Sequence, residues 1–266
     1  MDSYDFSGKV AYVSGAGRGF GRRVAERLAT GGGALVVTDF SDELVDGTVA
    51  AISAKGADIC GLSGDIALEE TSEKLAALID RRHGCLDIAI NNAGIAQEQT
   101  RLHEMDSKVA EKVVAVDLMG VFYAMKHQIP LMLKRVEETG DQTGGQCAIL
   151  NVASAAGLMG SPMLAAYSAA KAGVIGLTRT AAVEYGRKGI RVNCLCPSFA
   201  KTDMVIPALE ASPHGREKAE ARMVSFNPMQ RLGEVDEVVG AMLWAVSPDN
   251  SFFNGQALAV DGGLSA

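Results

Sequence analysis

The stretch Val10-Ala-Tyr-Val-Ser-Gly-Ala-Gly-Arg-Gly-Phe-Gly21 decides the fold. Val10 to Ser14 reads as a short buried strand, and a helix is predicted from about Phe20 to Thr30. Between them Gly15, Gly19 and Gly21 stand at spacing G-x3-G-x-G. Glycines let the backbone turn tightly there and approach a pyrophosphate at the helix N-terminus. A glycine-rich loop alone says little. Placed after a strand and before an amphipathic helix, it reads as a nucleotide site made by Ser14, Gly15, Gly17, Arg18, Gly19, Phe20 and Gly21.

The same alternation continues along the chain. Further strands are predicted at 34–38, 59–62, 86–90, 147–152, 191–195 and 257–260. Helices are predicted at 42–55, 69–82, 107–115, 118–135 and 235–246. Another is predicted to start at Ser161-Pro162, a capping hydroxyl followed by a first-turn proline, and to run to about Tyr185. Apolar strands alternating with helices call for a parallel sheet covered on both faces, a doubly wound α/β fold of about seven strands. Residues 1–266 show no linker or repeat and read as one domain. Glu137 to Gly145 reads as a surface turn, and 199–227 as a weakly periodic segment suited to covering a site.

Hydrophobic residues make up 48% of the chain, which excludes disorder. The net charge of −7 comes without any basic run, so neither nucleic acid nor an anionic membrane surface is an expected partner. Cys60, Cys85, Cys147, Cys194 and Cys196 form no disulfide framework and read as thiols in a reducing compartment. Cys194 and Cys196, two apart in a strand, should point the same way. The four histidines lack ligand spacing, and no metal is expected. No apolar run reaches bilayer length and the N-terminus lacks a signal pattern, so the expected location is the cytoplasm.

Asp39 ends the second strand, 18 residues after Gly21, where a carboxylate receives ribose hydroxyls. It would repel a 2′-phosphate, which favours NAD over NADP. Arg18 is either a counterweight to that preference or an exposed turn residue.

Tyr167 and Lys171 are four residues apart, so on a helix they share a face. An ammonium beside a phenol favours the phenolate and yields a proton donor and acceptor usable near neutral pH. Ser154, thirteen positions upstream of Tyr167, is placed to hold a substrate oxygen. A Tyr–Lys pair alone is ordinary helix surface; its company in this chain gives it chemistry.

That company stands in a known order: the glycine loop at 14–21, Asp39, Asp65-Ile66, Asn91-Asn92-Ala93-Gly94, Ser154, Tyr167-x3-Lys171, Pro197, Thr202 and Val260-Asp261-Gly262-Gly263. The chain resembles single-domain short-chain dehydrogenases/reductases over nearly its whole length. The resemblance implies a Rossmann-like fold, with Tyr167 as general acid/base, Lys171 binding the nicotinamide ribose and tuning Tyr167, and Ser154 orienting the substrate oxygen. It implies that Asp65 and Ile66 meet the adenine end, that Asn91, Ala93 and Gly94 support the sheet and the cofactor ribose, and that Pro197 and Thr202 lie near the nicotinamide. It also implies a homotetramer built on the helices at 118–135 and 162–185 and on the last strand.

Three residues depart from the family pattern. Ser14 replaces Thr, Ser198 replaces Gly and is expected to perturb the nicotinamide pocket, and Asp117 replaces the Asn that holds a water in a proton relay to Lys171. An ionised Asp117 accepts hydrogen bonds without donating them. It either holds the water or pairs with Lys171 and blunts the effect of that lysine on Tyr167.

Ala155, Ala156, Leu158, Met159, Met163 and Leu164 beside the triad are small or apolar, as are Phe199, Met204, Val205, Ile206, Met223 and Phe226 in the covering segment. Such a lining suits an apolar, alicyclic substrate, here a cyclic or bulky secondary alcohol. The stretches 123–129 and 151–157 resemble those of bacterial dehydrogenases of cyclic alcohols and diols, with hydroxysteroid dehydrogenases close by. The alternatives are a 3-oxoacyl carrier-protein reductase using NADPH, a ketose or polyol dehydrogenase, and a catalytically weak dinucleotide-binding regulator.

Overall fold

A computed structural model of the chain describes residues 4–140 and 147–266. Seven parallel strands form one sheet: β1 (Val10–Ser14), β2 (Ala34–Thr38), β3 (Ile59–Gly61), β4 (Ile88–Asn91), β5 (Cys147–Val152), β6 (Ile190–Pro197) and β7 (Ala257–Val260). Their order is β3-β2-β1-β4-β5-β6-β7. The chain winds outward from β1 to β3, then returns past β1 to start β4. The order therefore reverses between β1 and β4, and the crevice at their C-terminal ends is where such sheets bind ligands.

Strand alternation builds a core on each face. Ala11 and Val13 of β1 and Leu35 and Val37 of β2 pack with Val24 and Leu28 of α1 (Gly19–Thr30), Val45 and Ile52 of α2 (Asp42–Ser53) and Val239 and Leu243 of a late helix, Val235–Val246. The intervening Val10, Tyr12 and Val36 face the other way. They meet Leu75 and Ile79 of α3 (Glu69–His83), Met125 and Met132 of the helix Gly120–Thr139, and Val174 and Ile175 of the helix Ala165–Tyr185. Cys194 and Cys196 share this second core, as a two-residue spacing in β6 requires.

The remaining helices are α4 (Ser107–Val114), α5 (Gly120–Thr139), α6 (Ala165–Tyr185), α7 (Ile206–Glu210), α8 (Arg216–Val224) and α9 (Val235–Val246). A π-helical stretch, Ala115–Met119, joins α4 to α5 without a break. Such bulges gather at functional sites, and this one contains Asp117. The segment 199–227, expected to be weakly periodic, carries α7 and α8, held by a small cluster of Leu209, Val224 and Leu232.

Two expectations need correction. The predicted turn from Glu137 is helix as far as Thr139, because α5 continues until Gly140 adopts a left-handed φ of 67°. Residues 141–145 of that expectation lie outside the described residues. Ser161-Pro162 does not start α6, which begins at Ala165. Met163 takes a φ of 63° and reverses the chain first. Its carbonyl accepts hydrogen bonds from Thr100 N and Gln97 Nε2, each at 3.0 Å. Contacts from sixty residues upstream override the local capping signal.

Candidate active site

The candidate residues gather at the C-terminal ends of β1, β4, β5 and β6. Ser154 follows β5, and its Oγ accepts from Ala156 N at 3.2 Å. The tight turn it opens packs onto α6. A Cβ on Gly157 would lie 2.8 Å from the carbonyl carbon of Lys171, so glycine permits this approach. Tyr167 is half-buried in the first turn of α6 and Lys171 is buried one turn later. The Lys171 ammonium sits 5.5 Å from the Tyr167 ring centroid and donates to Val152 O at 3.1 Å.

The third neighbour of that ammonium is Asp117, whose Oδ1 lies 3.2 Å away. Oδ1 also accepts from Ile95 N at 3.1 Å, while Oδ2 is buried with no hydrogen-bond partner. Gly94 leaves the room: a Cβ there would stand 2.4 Å from Asp117 Oδ1. Burial raises the carboxyl pKa of Asp117 above its ordinary value, with Lys171 working against the rise. For Lys171 burial favours the neutral amine, but the Tyr167 phenol and the Asp117 carboxylate outweigh it and the pKa is raised. Asp117 thus lies within ion-pair distance of Lys171.

The glycine loop is knitted to β4 next door. Ser14 Oγ accepts from Asn92 N and Ala93 N at 3.0 and 3.1 Å, and Asn92 Nδ2 donates to Ser14 O at 3.0 Å. Asn91 turns inward. Its amide bonds to Gln128 and Asn151, and Asn151 in turn donates to Thr178, which ties β4 and β5 to α5 and α6. Asp39 holds the loop from the other side, with Oδ2 accepting from Gly17 N at 2.9 Å and Oδ1 from Phe40 N at 2.8 Å. Phe20 packs its ring on the core beneath, while Arg18 is exposed. Asp65 caps its own turn through Ala67 N, and Ile66 lies over Gly120 at the start of α5.

Comparisons with known proteins place the chain among oxidoreductases. A family model described as enoyl-(acyl carrier protein) reductase matches residues 15–265. The chain is 38% identical over 263 residues to a 2,5-dichloro-2,5-cyclohexadiene-1,4-diol dehydrogenase of Sphingobium indicum, covering 98% of this chain and 99% of the other. It is 35% identical to a cyclohexanol dehydrogenase of an Acinetobacter species, covering 99% and 98%. The chain belongs to the short-chain dehydrogenase/reductase family. A crystal structure of levodione reductase superposes with a TM-score of 0.90 at 33% identity, covering 98% of both chains. The protein is thus an oxidoreductase of a family that works with nicotinamide dinucleotides.

The residues of this dehydrogenase/reductase fit such a cofactor. The N-cap of α1, Arg18, makes no side-chain cap hydrogen bond, and the first turn holds no acidic residue, so backbone N–H groups are left for an anion. One anion already stands there: Asp203 Oδ2 accepts from Gly19 N at 3.0 Å. Its carboxylate takes the place at the helix N-terminus that a bound anion would take. Sequence reasoning missed Asp203 because it lies 184 residues from the glycine loop, although Thr202 beside it was singled out. A pyrophosphate held at this loop would have to displace this carboxylate. We expect Asp203→Asn to tighten NADH binding about threefold, from the size of charge effects at exposed helix ends. Fluorescence titration checks this, and unchanged or weaker binding would count against the overlap.

The apolar walls divide in two. Ala155 and Ala156 are buried in the turn after Ser154, whereas Leu158, Met159, Met163, Phe199 and Met204 keep exposed surface. They lie on the segments that follow β5 and β6, with Leu164 between them and α6. Pro197 ends β6 in register with Val260. Ser198, expected to perturb the nicotinamide pocket, donates its hydroxyl to Asp261 O at 3.1 Å. Elsewhere, Glu69, Glu73 and His127 bring ligand atoms within 4.8 Å of one another, but the Lys126 ammonium already sits on Glu69. Among the described residues no helix is long and apolar enough to cross a membrane.

Proposed function

We propose that the protein is an NAD-dependent dehydrogenase that interconverts a cyclic or bulky apolar secondary alcohol and its ketone. The observation that carries this reading is the buried Lys171 ammonium, held by Val152 O and Asp117 beside the Tyr167 phenol. Ser154 and Tyr167 hydrogen-bond the substrate oxygen. Tyrosinate at position 167 takes the hydroxyl proton of the alcohol, and the phenol returns it in ketone reduction. Lys171 holds the phenolate electrostatically and keeps its own proton. A nicotinamide dinucleotide held at the glycine loop would supply the hydride acceptor or donor, with the protein contributing position and charge. The names of the two dehydrogenases matched above share a six-membered ring bearing an alcohol, which supports a ring alcohol as substrate. The exposed methionines and Phe199 supply an apolar wall for one. Five free cysteines agree with a cytoplasmic location.

Asp39 supports NAD over NADP. Its carboxylate is fixed by Gly17 N and Phe40 N at the end of β2, where a 2′-phosphate would meet a like charge. Purified protein should therefore reduce NAD with cyclohexanol or a cyclic diol, and hardly reduce NADP. Asp39→Ala should raise the NADP/NAD ratio of kcat/KM by about thirtyfold, the scale of one close like-charge contact. A ratio that stays put would remove Asp39 from cofactor choice. A 3-oxoacyl carrier-protein reductase using NADPH is the second reading; the matched family model is described as a carrier-protein reductase, though of enoyl rather than 3-oxoacyl groups. Turnover of a 3-oxoacyl substrate with NADPH alone would establish it in place of the first.

A further inference from the structure

Every helix begins with N–H groups that have no partner inside it, and the residue before the helix normally supplies an oxygen to one of them. In α6 that residue is Leu164, which has none to give. The missing oxygen comes from far away in sequence. Gln97 Oε1 accepts from Tyr167 N at 3.0 Å, across seventy residues. The other end of the same amide donates to Met163 O at 3.0 Å, with a longer contact to Glu98 O at 3.4 Å. Gln97 is 8% exposed, so water has little access to replace either bond.

The two partners fix the amide's orientation. Turned over, it would set an NH2 against the Tyr167 N–H and an oxygen against the Met163 carbonyl. Only a side chain with donor and acceptor on one carbon serves both. Each partner matters to the site. Tyr167 carries the phenol. Met163 holds a left-handed φ of 63°, costly for a residue with a Cβ, in the segment that bears Leu158 and Met159. Gln97 itself sits three residues beyond Gly94, on the loop that leaves β4 at the cofactor crevice.

We propose that Gln97 is a positioning residue for the alcohol–ketone reaction, holding the Tyr167 backbone and the 158–164 substrate wall in register with the loop after β4. This rests on the function proposed above. The side chain meets no reacting atom; it acts through the first turn of α6 and through the Met163 turn. The two tasks are separable, because its oxygen serves the tyrosine and its nitrogen serves the wall.

Two variants separate them. Gln97→Leu keeps the volume and removes both bonds. Gln97→Glu, as carboxylate, keeps the acceptor for Tyr167 N and loses the donor to Met163 O. Steady-state kinetics with NAD and cyclohexanol should show kcat down about tenfold in Gln97→Leu, since small misplacements of a proton-transfer atom cost that much or more. In Gln97→Glu kcat should stay within about threefold while KM for the alcohol rises about fivefold. The Kd for NADH should hold in both. Wild-type kinetics for Gln97→Leu, or an equal loss of kcat in both variants, would overturn the proposal. A wild type silent on ring alcohols would fall on the function reading instead. Hydrogen–deuterium exchange then still decides the role of Gln97. Exchange over residues 163–168 should quicken at least about fivefold in Gln97→Leu, and unchanged exchange refutes the latch.

Discussion

Tyr167→Phe should lower kcat for alcohol oxidation about a thousandfold while leaving the Kd for NADH within about twofold. The phenol oxygen is the one atom removed, and general acid–base catalysis by a placed side chain is worth between about a hundredfold and ten-thousandfold. The ring stays, so its contact with the buried ammonium 5.5 Å from its centroid also stays. The fold should not suffer, because Tyr167 is half-buried and its backbone N–H remains bonded to Gln97. Single-turnover absorbance of the reduced cofactor measures the rate, and fluorescence titration measures the Kd. A variant with a tenth or more of wild-type kcat would remove Tyr167 from the chemistry and with it the proposed mechanism.

The parts of this site that could be read from sequence share a property: their signals are local. Val10 to Gly21 announces strand, turn and helix within a dozen residues, and strand periodicity alone orients Cys194 and Cys196 to one face. The doubly wound sheet follows from repeating that local pattern. What sequence misplaced was decided by contacts across the fold. Ser161-Pro162 has the chemistry of a helix start, yet the Met163 carbonyl is bound by Gln97 and Thr100, and the helix waits until Ala165. Asp203 reaches the glycine loop only because the segment after β6 folds back over the end of β1. Asp117 stands out in the sequence, but its 3.2 Å approach to Lys171 and the π-helical turn that carries it are legible only in the fold.

That pairing makes Lys171→Met a test of two things at once. Catalysis should fall at least about a hundredfold, because the charge that holds the phenolate is gone. Stability should fall as well, by about 3 kcal/mol at pH 8, since removing one partner of a buried ion pair strands the other. Asp117 is fully buried, its Oδ2 already lacks a partner, and Ile95 N alone would remain on Oδ1. The sign of the pH dependence follows. Burial already raises the Asp117 pKa, and the lysine that works against the rise is absent from the variant. The folded variant therefore binds a proton more tightly than its unfolded chain does. A raised carboxyl pKa contributes stability at low pH that is lost as pH climbs through the folded value, so the deficit of the variant should shrink on going from pH 8 to pH 5. Urea unfolding at both pH values measures it. The double variant Lys171→Met, Asp117→Asn has no stranded charge and should recover stability to within about 1 kcal/mol of wild type, with activity still lost. Recovery of stability without activity assigns the pair to the fold and the ammonium to the chemistry. If the single variant is as stable as wild type at pH 8, the carboxylate is not the buried counter-ion of Lys171 and the ion-pair account of Asp117 fails.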